Sequence, residues 1–208
     1  YGLGADVGEG IERDASTIAV INFTKSKLVA TYKNNSIEPD KFAYKIREVG
    51  ELYGRCLVAP ERNNHGFATL SILRTIYQNI YIQQKESKVE NVTMDMLGWM
   101  TNLATKPEMM YDLAFAVNNG QLDIPDIEAL EEFTLFDKEM VNERVKGFDT
   151  TVTKHFDLLM AIAIAWQMRK YAMITEFGDE KTMQHKTSFG EPVNQSGIKS
   201  VEEITFLN

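Results

Sequence analysis

Two acidic residues stand where they could do chemistry. Asp6 closes the apolar run Gly2-Leu3-Gly4-Ala5 and is followed by Val7-Gly8-Glu9-Gly10; Glu61 closes Leu57-Val58-Ala59-Pro60 and is followed by Arg62-Asn63-Asn64-His65-Gly66. Each is a carboxylate at the C-terminal end of an apolar strand pattern. Carboxylates repel when close, so a fold that gathers strand-end acids is usually arranged to hold hard cations through oxygen ligands. The chemistry this suggests is metal-dependent phosphoryl transfer. Either acid alone is an ordinary turn residue; the pair, with the segments downstream, points to a site.

The elements that must position these acids follow from hydrophobic patterning. Residues 2–7, 16–23 and 27–34 are apolar or alternating with β-branched content and turn residues between them, which predicts three consecutive antiparallel strands. Pro39-Asp40-Lys41 opens a segment with Phe42, Ile46, Val49 and Tyr53 at helical spacing. Residues 57–59 form a short, wholly apolar strand of the buried parallel kind. A second helix from Gly66 leads to a strand over 79–82, giving a β-α-β crossover, and 85–96 reads as a polar loop or hairpin. Helices follow over 106–118 and from Pro125-Asp126 to about Phe133; the longest runs from Thr153 to Met173 and is apolar around most of its circumference. A meander, then alternating helices and strands, then a closing helix is the order of an α/β, RNase H-like mixed sheet flanked by helices. In it the first strand is central and the strand ending in Glu61 lies beside it.

Four blocks carry a family resemblance. Gly4-Ala5-Asp6-Val7-Gly8-Glu9-Gly10 with Asp14 beyond it, Pro60-Glu61-Arg62-Asn63-Asn64-His65-Gly66, Gly98-Trp99-Met100-Thr101-Asn102 followed by Thr105-Lys106-Pro107, and His155-Phe156-Asp157-Leu158-Leu159-Met160-Ala161 resemble, in order, the C-terminal nuclease domain of the large terminase subunit of tailed bacteriophages. The resemblance implies a RuvC-related endonuclease over residues 1–173; beyond it the polar composition, with few large apolar residues, suggests a tail or flap over 174–208. The resemblance implies cleavage of concatemeric double-stranded phage DNA during packaging, with two divalent cations, Mg²⁺ or Mn²⁺. It implies as partners an N-terminal ATPase domain of the same polypeptide, a portal protein and a small terminase subunit, and the host cytoplasm as the compartment. Asp6, Glu61 and Asp157 match the family's metal-binding acids, and Asp14 is a candidate fourth. In two-metal sites the ions lie ~3.5–4 Å apart, so several acids must converge from different elements. The chain departs from the family at Phe156: a pair of acids is usual after the histidine, and here only Asp157 remains. Helical phase, with Asp157 one turn before Ala161 and two before Ile164 and Ala165, favours the second position as the ligand.

Supporting roles are open to two readings. Arg62 could offer its planar fork to a phosphate or hold a neighbouring carboxylate. His65 could contact a phosphate, assist proton transfer, or bond the backbone at a helix start. Lys106, opening a helix, could meet a phosphate or be an exposed first-turn lysine. His155 stands beside the third acid as a DNA-contacting or supporting residue. Glu9 reads as exposed loop, Asn63 and Asn64 as capping residues, Trp99 as core, and Glu128, Glu131 and Glu132 as a solvated helix face.

The 208 residues, 44% hydrophobic and 25% charged, suit one domain with a sizeable core. Opening on Tyr1 without an initiator methionine, the chain reads as a domain cut from a longer polypeptide. One cysteine, Cys56, lies in an apolar run and reads as a buried thiol, which rules out a disulfide framework within the chain and favours a reducing compartment. The longest apolar run, Leu158 to Trp166, is too short to span a bilayer. A net charge of −8 argues mildly against non-specific nucleic-acid binding without excluding a nuclease, whose acids become attractive to DNA once cations are bound. An actin-like ATPase is disfavoured, because the first block has no duplicate and no phosphate-binding loop is present. Two further alternatives are a catalytically weak DNA-gripping or interaction module and a RuvC-like junction resolvase.

Overall fold

The computed structural model describes residues 1–8, 14–62, 65–83, 97–136, 156–172 and 205–206. Five strands form one mixed sheet: β1 (Gly2–Asp6), β2 (Ser16–Asn22), β3 (Lys27–Asn34), β4 (Leu57–Pro60) and β5 (Thr205–Phe206), in the order β4-β1-β2-β3-β5. The meander β1–β2–β3 is antiparallel, β4 joins β1 in parallel, and β5 adds two residues to the edge of β3. The fold is therefore the RNase H-like mixed sheet that the sequence pattern predicts. Among the described residues no helix is long and apolar enough to cross a membrane.

Both faces of the sheet are covered, which is why β2 is buried along its whole length. On one face α1 (Pro39–Leu52) and α2 (Gly66–Ile76) bring Phe42, Ile46, Leu70 and Leu73 against Leu3, Ala5, Ile18 and Val20. On the other, α3 (Thr105–Asn118), α4 (Ile127–Leu135) and α5 (Asp157–Gln167) pack on Ala19, Ile21, Leu28 and Ala59. Strand alternation divides β1 accordingly: Leu3 and Ala5 face α1 and α2, while Gly4 and Asp6 face α5.

Two elements differ from their sequence-based expectation. The strand predicted over 79–82 is reduced to isolated bridges, Ile80 parallel to Val58 and Ile82 antiparallel to Leu97. The edge beside β4 is divided: Tyr81 donates to the Val58 carbonyl, but Trp99 N–H then takes the Pro60 carbonyl. The closing helix is also shorter, starting at Asp157 and tightening after Gln167 into a 3₁₀ turn (Met168–Lys170). The predicted loop or hairpin over 85–96, the first residues of the predicted closing helix, and nearly all of 174–208 lie outside the described residues.

Candidate metal and phosphate site

The site is built at the carboxyl ends of β1 and β4. Parallel register pairs Ala5 with Pro60, and the Glu61 N–H donates to the Ala5 carbonyl at 2.7 Å, so Asp6 and Glu61 emerge side by side. Asp157, the first residue of α5, arrives from the layer above. Its carbonyl accepts from Thr17 Oγ1 at 2.7 Å, and Thr17 is the cross-strand partner of Asp6. Its Oδ2 accepts from the Ala15 N–H at 3.0 Å. Gly4 makes this approach possible. A Cβ there would lie 2.2 Å from the Ala161 carbonyl oxygen and 2.4 Å from the Ala165 nitrogen, so only glycine lets the α5 backbone rest on β1.

The three carboxyl groups act on one another. Burial first, then the Glu61 charge, the hydrogen bond shared with Glu61 and the Asp157 charge push the Asp6 carboxyl well above the ordinary carboxylate range, against a lowering by the Val7 N–H. Among the described residues, no group of three histidine, cysteine, aspartate or glutamate side chains is already set as a closed metal-holding cluster. Asp6 and Glu61 face one another, and Asp157 Oδ2 is bonded to the Ala15 N–H. The donor set is nevertheless all oxygen, and a hard divalent cation relieves the repulsion that raises the Asp6 carboxyl.

Phe156 packs edge-on against Phe136, with ring centroids 5.1 Å apart, so the position where an acid is usual belongs to the apolar contact between α4 and α5. Arg62 is more open. Its Nη2 lies 3.5 Å from Met100 Sδ, while Nε and Nη1 have no hydrogen-bond partner, and among the described residues the guanidinium pairs with no carboxylate. Asp14 leads into β2 with its carbonyl oxygen tight against Gly8. His65 precedes α2, where its carbonyl accepts from Ala68 and Thr69. Lys106 sits in the first turn of α3, its N–H donating to the Asn102 carbonyl, and the Asn102 side chain takes the Thr105 N–H. Trp99 is 7% exposed and belongs to the core. His155, Glu9, Asn63 and Asn64 lie outside the described residues.

Sequence reasoning missed the groups that hold Asp157 in place. Ala15 acts through its backbone, which no side-chain pattern reveals. Glu132 was expected in a solvated face and is instead 7% exposed, accepting the Leu159 N–H at 2.8 Å and meeting Lys33 at 3.2 Å. Burial pushes its carboxyl up and the Asp157 charge adds to this, while the Leu159 N–H and Lys33 oppose it. The signal was present in helical phase, since Ala129, Glu132 and Phe133 share the buried side of α4.

No protein-family model matches the chain, and no curated protein matches it in sequence. Solved structures do share its fold, and those it resembles are nucleases of phage large terminases. The large terminase nuclease of thermophilic phage G20c has a TM-score of 0.59 at 19% identity, covering 80% of this chain and 81% of that one. The same nuclease with bound magnesium has a TM-score of 0.59 at 18% identity, with 80% of each chain covered. The large terminase nuclease domain of Thermus phage P74-26 has a TM-score of 0.50 at 17% identity, covering 80% of this chain and 77% of that one.

Proposed function

We propose that the chain is a divalent-cation-dependent endonuclease that hydrolyses phosphodiester bonds of duplex DNA, serving as the nuclease unit of a large terminase that cuts concatemeric phage DNA during packaging. The observation that carries this is the convergence of three acids: parallel register sets Glu61 beside Asp6, and Asp157, 151 positions on from Asp6, is bonded to Ala15 and Thr17 beside them, in a fold similar to that of terminase nucleases. Asp6, Glu61 and Asp157 would hold Mg²⁺ or Mn²⁺, as the G20c nuclease is found with magnesium. Bound there, divalent cations supply charge neutralisation at the scissile phosphate and a more acidic attacking water.

The chain's own residues do the rest. Asp6, deprotonated to solvent as a cation enters, and Glu61 would offer carboxylate oxygens as ligands, while Thr17 and Ala15 fix Asp157 at the head of α5. Arg62, whose buried Nε and Nη1 have no protein partner, grips a backbone phosphate beside Glu61 once its guanidinium turns outward. Lys106 and His65, at the starts of α3 and α2, add phosphate contacts along the duplex. Asp14 is a candidate fourth acid. Within a packaging motor the domain would be joined to an ATPase domain and work with the portal and small terminase subunit.

A second reading, a DNA-gripping module without chemistry, is favoured by one feature: Phe156 occupies an acid's usual place and is committed to Phe136. Incubation with plasmid DNA and Mn²⁺ or Mg²⁺ separates the two. The nuclease reading expects nicking and linearisation that disappear in Asp6→Asn. Cleavage that persists in Asp6→Asn would overturn the assigned site, inactivity of the folded wild-type chain would favour the gripping module, and cleavage restricted to four-way junctions would favour a resolvase.

A further inference from the structure

We infer that Glu132 is a positioning residue: from α4 it caps the start of α5 and thereby sets where Asp157 stands. The inference rests on the nuclease reading. A helix start leaves several N–H groups without internal partners. In α5 the residue at the cap position is Phe156, which has no side-chain acceptor to offer. The Asp157 Oδ2 accepts from the Ala15 N–H, outside the helix. The acceptor comes instead from another helix, 27 positions earlier in the chain: Glu132 Oε2 lies 2.8 Å from the Leu159 nitrogen.

The other Glu132 oxygen is equally engaged. Lys33 Nζ on β3 reaches Oε1 at 3.2 Å, and Lys33 is itself shared with Glu128. A carboxylate this deeply buried is costly unless its oxygens are satisfied, and here they are satisfied by two different elements. Glu132 therefore ties β3, α4 and the first turn of α5 into one polar joint.

That joint acts on Asp157 because the polar tie at the other end of α5, Gln167 to Asp112 of α3 at 2.8 Å, is ten residues away. From Leu158 to Ala165 the helix presents only apolar side chains, nearly all buried against the sheet, α3 and α4. Apolar packing is non-directional, so it resists separation far better than it resists a small slide or rotation. Directional restraints at the head of the helix include the Asp157 bonds to Ala15 and Thr17 and the Glu132 bond to Leu159, two residues on. Loss of the third removes the tie to α4. Outer partners that orient metal ligands typically matter by about 10–100-fold in affinity or activity.

The experiment uses the full chain and three variants, Glu132→Ala, Glu132→Asp and Glu132→Gln. The readouts are the Mn²⁺ concentration that half-saturates the rise in melting temperature without DNA, and kcat and KM for plasmid cleavage. Glutamine keeps an oxygen at the right reach for Leu159 and sets its amide NH2 in place of the oxygen that Lys33 met, leaving Lys33 to Glu128; aspartate keeps the charge but falls one methylene short. The expected result is that Ala and Asp raise the half-saturating Mn²⁺ by about 10–100-fold and lower kcat comparably, with KM for DNA unchanged, whereas Gln stays near wild type. If Ala does not fold, the Asp and Gln pair decides alone. Wild-type Mn²⁺ response and kcat in the Asp variant, or a Gln variant as impaired as Asp, would overturn the role of Glu132. A wild-type chain that neither cuts DNA nor gains stability from Mn²⁺ would instead overturn the nuclease reading on which this role depends.

Discussion

Adding one methyl group at Gly4 should damage the site without touching any acid. A Cβ at this position would stand 2.2 Å from the Ala161 carbonyl oxygen, 2.4 Å from the Ala165 nitrogen and 3.0 Å from the Ala165 Cα. All three atoms are helix backbone, so no side chain can rotate away. Ordinary contact distance requires α5 to retreat from β1 by roughly 1 Å. Overpacking of this kind costs about 1–3 kcal/mol, which in a chain of this length lowers the melting temperature by about 2–12 °C. The functional effect should be larger than the thermal one, because Asp157 heads the displaced helix while Asp6 and Glu61 stay on the sheet. A misplacement of about 1 Å at a reacting centre costs on the order of 100-fold. Gly4→Ala and wild type would be compared in plasmid cleavage with Mn²⁺, well below both melting temperatures. Gly54→Ala is the control: Gly54 has φ +72° with nothing within 4 Å, so it should lose about 1 kcal/mol to backbone strain and no cleavage rate. A Gly4→Ala protein that melts and cuts like wild type would refute the close-approach reasoning, and one that is destabilised but cuts normally would show that helix height does not set Asp157.

Two further outcomes follow from the same geometry. Since Asp6 has a folded-state pKa above its unfolded one, the stability from its protonated form is complete below the ordinary carboxyl range and is lost as pH rises through the raised folded value. Asp6→Asn should therefore melt higher than the metal-free wild type at neutral pH, by about 2–4 °C per kcal/mol relieved, with the gap closing on acidification in a thermal scan across pH; an equal gap at all pH values would argue against the raised Asp6 carboxyl. Arg62→Ala should weaken DNA binding by about 1.5–3 kcal/mol and reduce the slope of log affinity against log salt by about 1, measured by fluorescence anisotropy on duplexes of several sequences; an unchanged slope would remove Arg62 from the phosphate contacts.

Much of the frame was legible in the sequence because it depends on local pattern. Alternation and apolar runs report which residues face a core, and so the meander, the strand before Glu61 and the helices on both faces could be placed within a few residues. Pro39 began α1 and Asp126 capped α4, as their types and positions suggested. The segment 79–82 misled for a physical reason: its pattern is that of a strand, but the segment over 97–100 competes for the same edge and leaves only bridges. Glu132 misled in the opposite way, its charge suggesting solvent where the fold supplied Lys33 and a bare helix N–H.

By itself the order of residues determined that acids would stand at the ends of two strands and the start of an apolar helix, because strand and helix periods are short-range properties of the chain. Only the tertiary structure decided that these acids feel one another's charge. That depends on the parallel register that sets Glu61 beside Asp6, on a glycine that admits the α5 backbone to β1, and on bonds from Ala15, Thr17 and Glu132 that hold the head of the helix. Distances between groups more than a hundred residues apart are set by packing and register, and no local pattern encodes them.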